Sequence, residues 1–210
     1  MIRERVYYRS MRMSQLASVY QGIALAGRGA GARRGDWELR VVESGDLPVD
    51  GWLETAGLRE MGFVRSSRTE RYLLRPFDVL VTSRAGSVRV ALVPPGVSRT
   101  VAGATLLVAR SPHPETGMGH WLWYFLTSSH GKAQLARRLT TGTAITFLSA
   151  RSLGEVDVPV PPTHELDALA RIVEGSEAAH TAAVHAARIR REALRDALVA
   201  DVISRASSDA

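Results

Sequence analysis

The residues of this 210-residue chain whose types and spacing could do chemistry fall into two groups: catalytic signatures that break off before completion, and clusters of arginine. His164-Glu165-Leu166-Asp167-Ala168 starts like a zinc-protease helix, but Ala168 stands where a second histidine, one turn on, would share the metal. Gly131-Lys132 has the close of a phosphate-binding loop, yet Leu126 occupies the place of its first glycine. Gly27, Gly29 and Gly31 are interrupted by arginine and open no helix whose N-terminus could receive a pyrophosphate. His113, His120 and Glu115 read as side chains of a solvated loop between Pro112 and Gly119, not as metal ligands. No Ser/His/Asp set has a telling spacing, and nothing matches the Asn/Asp-Pro-Pro-aromatic motif of an amino-methyltransferase. The expectation is a chain with no catalytic residues, no metal and no cofactor of its own.

The arginine clusters suit a different task. Arg28, Arg33 and Arg34 ride on a glycine-rich stretch whose backbone can approach phosphates closely. Ser83, Arg84, Ser87 and Arg89 lie on and beside a tight turn at Gly86, and Lys132, Arg137, Arg138, Thr140, Thr141 and Thr143 surround a helix end and loop. Arginine can hold phosphate or read guanine through two parallel hydrogen bonds, and Ser and Thr hydroxyls serve the sugar-phosphate backbone or a base edge. These residues are the candidate DNA contacts.

Charge distribution supports that reading. The formal net charge is +6, but the last sixty residues hold 7 Arg against 10 acids, so the basic excess lies entirely in the first 150 residues. Such asymmetry points to a polyanion partner for the front of the chain. Of the 27 basic residues 26 are Arg, a bias that a GC-rich genome would also produce, so charge alone does not decide the matter.

These side chains need a scaffold. Trp37–Val42, Asp78–Thr82, Val88–Val93 and Ala104–Ala109 carry strand signals, the second and third joined by the turn Ser83–Ser87, and together they predict a mainly antiparallel sheet. A helix is expected from Trp121 to Leu126, resuming from Lys132 to Leu139, with Thr140–Thr143 as a loop. The fold class is α+β. Residues 1–160 would form one globular recognition domain, followed by a long helix over 163–206.

That helix is the clearest single element. From Thr163 to about Ser204 there is no proline and one glycine, Gly175. Thr163 is placed as N-cap; Glu165 and Asp167 lie in the first turn and Arg188, Arg190, Arg191, Arg195 and Arg205 in the far half, as the macrodipole favours. Steps of three and four residues trace an apolar stripe through Leu166, Leu169, Val173, Val184, Leu194, Leu198 and Val202, weak in the middle where Ser176, His180 and Arg191 fall on it. A helix of about 40 residues spans roughly 60 Å, more than a small domain covers, so the stripe is expected to meet another chain or another long helix.

No stretch approaches the roughly 18 apolar residues of a membrane span, and the first dozen residues lack a signal-peptide core. With no cysteine there is no disulfide framework, and a cytoplasmic protein is expected.

In order, these features resemble the specificity (S) subunits of type I restriction-modification systems, specifically one target-recognition domain with its following helix. Leu16-Ala-Ser-Val-Tyr-Gln-Gly22 looks like the opening of such a domain and Gly45-Asp-Leu-Pro48 its "G-D-I" stretch. Leu74-Arg-Pro-Phe-Asp-Val-Leu-Val-Thr-Ser-Arg-Ala-Gly-Ser-Val-Arg-Val-Ala-Leu-Val93 is similar to "L-x-P-G-D-V-L-V-S…G-x-x-G-R-V-A-V". Gly142-Thr-Ala-Ile145 with Leu148 and Leu153, then Val158-Pro-Val-Pro-Pro162 with Glu165, resemble the blocks that lead into the long helix. Phe77 stands where the family prefers Gly, Val88 replaces the second Gly of the turn, and Leu166 replaces a Gln. Full S subunits carry two recognition domains and two long helices, so the resemblance implies a half-subunit that pairs with a second copy or a second S-like chain. It further implies double-stranded DNA as ligand, a partner adenine methyltransferase using S-adenosylmethionine, and a restriction or translocase subunit. The competing expectation is an adaptor of a phage-defence complex, tethering partners through the helix with DNA contact incidental.

Overall fold

Three strands that read as continuous apolar runs form the centre of the protein. In a computed structural model that describes residues 9–24, 35, 37–49, 51–84, 88–141 and 146–208, β5 (Val79–Thr82), β6 (Val90–Leu92) and β8 (Leu106–Arg110) are buried almost throughout. A strand apolar at consecutive positions, not alternate ones, must be covered on both faces. With β2 (Ser18–Gln21) they make a four-stranded antiparallel sheet in the order β2-β8-β5-β6, and the expected hairpin pairs Val79 with Leu92, Leu80 with Ala91 and Val81 with Val90. On one face, Leu80, Ala91, Leu106 and Val108 pack with Leu47, Leu53 and Leu74. α3 (Met118–Thr127) packs against β5 and β6.

A second, three-stranded sheet runs β4-β3-β7, from β3 (Trp37–Val42), β4 (Arg59–Phe63) and β7 (Thr100–Ala102). Its β3–β7 pair is parallel, so the fold is mainly but not wholly antiparallel. Val42 and Ala102 at its end belong to the same apolar cluster as the first sheet, while Leu39, Val41 and Val101 form a cluster of their own. β4 and β7 carry no strong strand pattern in sequence; they form because a half-buried neighbour fixes their register, with Leu39 opposite Met61 and Val41 opposite Val101.

Shorter elements complete the domain: β1 (Arg9–Arg12), α1 (Met13–Leu16), α2 (Ser67–Arg71), α4 (Ser129–Arg137), β9 (Thr140–Thr141), β10 (Thr146–Phe147), α5 (Ala150–Gly154) and β11 (Asp157–Val160). The stretch before the long helix is a strand, paired antiparallel with β1. Pro159 is tolerated there because each of these two strands has a single partner. α3 and α4 are separated at Ser128, whose extended backbone breaks the first helix and whose hydroxyl caps the second by accepting from the Gly131 amide at 3.1 Å.

The turn Arg75-Pro76-Phe77-Asp78 explains a departure noted above. The Asp78 amide donates to the Arg75 carbonyl, Pro76 holds the second position, and Phe77 takes φ +65°, the third position of a type II turn, where glycine is preferred. The phenyl ring, 4.4 Å from the imidazole of His120 between centroids, supplies packing that glycine would lack. Asp78, 2% exposed, accepts from the Arg75 amide at 2.8 Å and from both Nε and Nη2 of Arg110. One buried carboxylate thus ties the turn to β8.

α6 (Thr163–Ser208) is a single helix, and Thr163, expected to cap it, is its first helical residue, preceded by Pro162. The chain divides into two units, Met1–Ala170 and Arg171–Ala210. In the first, Leu166 and Ala170 of α6 are buried. Gly117, at φ +76°, permits their approach, since a Cβ there would lie 2.7 Å from the Leu166 carbonyl oxygen. In the second, Val173 is buried, but Val184, Ile189, Leu194, Leu198, Val199, Val202 and Ile203 are each more than half exposed. The ion pairs Arg188–Glu192 and Asp201–Arg205, each four residues apart, run along this stretch. Among the described residues, no helix is long and apolar enough to cross a membrane.

Candidate nucleic-acid interface

Two of the three basic clusters fall, in part, on described residues, and backbone pairing brings them together. Arg84 forms an isolated antiparallel bridge with Phe147, and Phe147 in turn pairs with Thr140 across β9–β10. The Leu148 amide donates to the Ser83 carbonyl at 2.8 Å, which locks the register. Residues 83–84 therefore lie beside the 140–141 and 146–148 stretches, more than fifty residues later in the sequence, as a short ribbon. Arg84 and Thr140 are exposed, and Phe147 offers an aromatic ring that is 40% exposed.

Lys132 and Arg137 lead into the ribbon from α4, both exposed. α4 is fixed by Gln134, whose amide nitrogen donates to the Asp157 carbonyl and whose Oε1 accepts from the Asp157 amide, so the side chain completes the free edge of β11 as another strand would.

Other candidates are used by the fold itself. Ser83 is buried, with its hydroxyl turned inward. Arg89 donates through Nη1 to the Leu47 carbonyl at 3.0 Å, and Arg138 donates to the carbonyls of Glu155 and Gln134 with Asp157 beside it. Guanidinium groups serve this purpose well: each carries five donors, and loop carbonyls left without a ladder partner need them. Arg28, Arg33, Arg34, Ser87 and Thr143 lie outside the described residues, as does the side chain of Thr141.

What the sequence reading missed is Phe147. It lies between Ile145 and Leu148, which carry the resemblance there, and its exposure follows from the β10 register, not from any local pattern. An exposed guanidinium, a hydroxyl and an exposed ring on one ribbon can hold a phosphate, pair with a base edge and stack, which is binding chemistry. His113 pairs with Glu115 at the surface, whereas His120 is buried against Phe77 and Trp52. Among the described residues no three metal-ligating side chains come together.

Neither a protein-family model nor a curated protein matches the sequence. Solved structures do match the fold. One is from a study of complex assembly and conformational transition of the type I R-M system, with TM-score 0.61 and 17% identity, over 91% of this chain and 43% of that one. Another is the HsdS subunit from Thermoanaerobacter tengcongensis, with TM-score 0.53 and 17% identity, over 89% of this chain and 41% of that one. The chain thus has the fold of these two structures and spans about two fifths of their length (43% and 41%).

Proposed function

We propose that this chain is a sequence-recognition component for double-stranded DNA in a type I-like restriction-modification or related phage-defence assembly, non-catalytic itself and directing a partner adenine methyltransferase. The observation that supports it best is the ribbon: on a fold shared with HsdS, pairing converges Arg84, Phe147 and Thr140 onto one exposed edge. Arg84 is the candidate base reader, Lys132 and Arg137 are candidate phosphate contacts, and Arg28, Arg33 and Arg34, outside the described residues, are further candidate phosphate contacts by sequence. S-adenosylmethionine and any translocating nuclease belong to the partners. α6, with its exposed apolar residues, would pair with the corresponding helix of a second copy or of another S-like chain, setting the gap between two half-sites.

The test is enrichment of random duplexes by the purified chain together with its methyltransferase, with mass measured in parallel. A bipartite enriched motif is expected, and Arg84→Ala should cost about 1–3 kcal/mol and relax one position of that motif. Lys132→Ala should weaken binding to all sequences alike and lower the salt dependence by about one charge. Absence of any sequence preference in the complex would end this reading.

The exposed row Leu194, Leu198 and Val202 also favours a second reading, an adaptor that joins partners through the helix. It expects Arg84→Ala to leave phage defence intact while charged substitutions at Leu194 and Leu198 abolish it; Arg89, bonded to the Leu47 carbonyl, serves the fold under either reading.

A further inference from the structure

Beside α2 lies a cavity of about 660 Å³ that no candidate above uses, walled by Tyr20, Arg68, Arg71, Tyr72, Arg75 and Arg110. Its size falls within the range of about 300–1,000 Å³ typical of small-molecule sites. Four arginines around one concavity would repel each other without compensation, and compensation reaches only one of them. Arg110 is bound through Nε and Nη2 to Asp78 and donates also to the Leu73 carbonyl, so it forms a fixed floor. Arg68, Arg71 and Arg75 have no acidic partner among the described residues, and the one acid of α2, Glu70, is turned to Arg65 at 3.0 Å. Arg68 and Arg71, three residues apart, share a face of α2, and Arg75 opens the turn that follows.

The rest of the wall is aromatic. Tyr20 and Tyr72 meet edge to face with centroids 6.2 Å apart, and Arg110 lies 5.5 Å over the Tyr20 ring. The Tyr20 hydroxyl is buried without a hydrogen-bond partner among the described residues. Burial, helped by the charge of Asp78, pushes its pKa up to about 12, so the Tyr20 ring stays an uncharged wall of the cavity. Inorganic phosphate would engage the arginines and leave the rings idle. A carboxylate-rich peptide would do the same. A ligand that joins a phosphate to a planar, acceptor-bearing ring uses both walls.

We infer that this cavity is a binding site for a nucleoside phosphate, its phosphate held by Arg68, Arg71 and Arg75 and its base set against the Tyr20–Tyr72 wall. The ligand can be a free nucleotide or an unpaired nucleotide at a strand end, which present the same chemistry. The inference stands apart from the proposed reading of duplex sequence and does not depend on it.

Calorimetric titration of the full chain with inorganic phosphate, deoxyadenosine, dAMP and a 5′-phosphorylated oligothymidylate tests it. dAMP should bind at least about tenfold more tightly than either phosphate or deoxyadenosine, because only it engages both walls. The double variant Arg68→Gln, Arg71→Gln alters exposed side chains and should keep the melting temperature while losing at least about tenfold in dAMP affinity. Tyr72→Leu should bring dAMP down towards phosphate. An oligonucleotide bound more tightly than dAMP, with that advantage lost in the double variant, identifies the strand end as the source, and an equal or weaker one the free nucleotide. On the unaltered chain, saturation-transfer NMR should mark the base protons of dAMP above its sugar protons. Phosphate bound as tightly as dAMP, an unaffected double variant, uniform saturation across dAMP, or a glutamate-rich peptide bound more tightly would each overturn the inference.

Discussion

Leu166 and Leu198 sit on the same helix and on the same three-and-four spacing, yet the first is 2% exposed and the second 59%. The early turns of α6 are part of a folded core; from Ala178 to Arg205 every side chain is exposed. The contrast separates two things that apolar periodicity merges. Spacing announces that a helix has a face to cover, but the cover can come from the chain's own domain or from another molecule, and the pattern is the same either way.

Substitutions along the helix can break this contrast or sharpen it. The largest effect should come from Leu166→Ala, which removes a buried side chain and should cost about 2–5 kcal/mol in urea unfolding. Gly117→Ala should follow at about 1–3 kcal/mol, since it forces a Cβ against the Leu166 carbonyl at a left-handed φ. Leu198→Ala in the dilute chain should fall within about 0.5 kcal/mol, as surface changes do. A cost comparable to that of Leu166→Ala would show that Leu198 is covered in solution and would erase the contrast. The sharpest form pairs Leu194→Asp with Leu198→Asp: an unchanged melt of the core with a halved mass by light scattering is expected if this stretch joins two chains.

The elements legible in the sequence were those whose pattern is local and complete. The β5–β6 hairpin and α6 have uninterrupted apolar or helical runs, and the structure places them within a few residues of expectation. β4, β7 and β11 were not legible, because their pairing is specified by partners distant in the chain: Arg59 with Val41, Thr100 with Arg40, Asp157 with Arg12. The candidate interface was half legible. Arg84, Arg137 and Thr140 stand out by type, but nothing at Arg89 or Arg138 reveals that a carbonyl waits within hydrogen-bonding distance. The arginines around α2 were passed over for the opposite reason. Arg68, Arg71 and Arg75 do not stand out by local pattern, and only the fold sets Tyr20, about fifty residues earlier, against them.

α6 is also a screw. Each residue added to its exposed length advances whatever lies beyond it by about 1.5 Å and turns it by about 100°. Inserting one residue therefore moves the far side chains little but points them away from their former azimuth, whereas inserting seven returns them to within about 20° of it some 10 Å further on. Length along this stretch can change without loss of facing only in discrete steps.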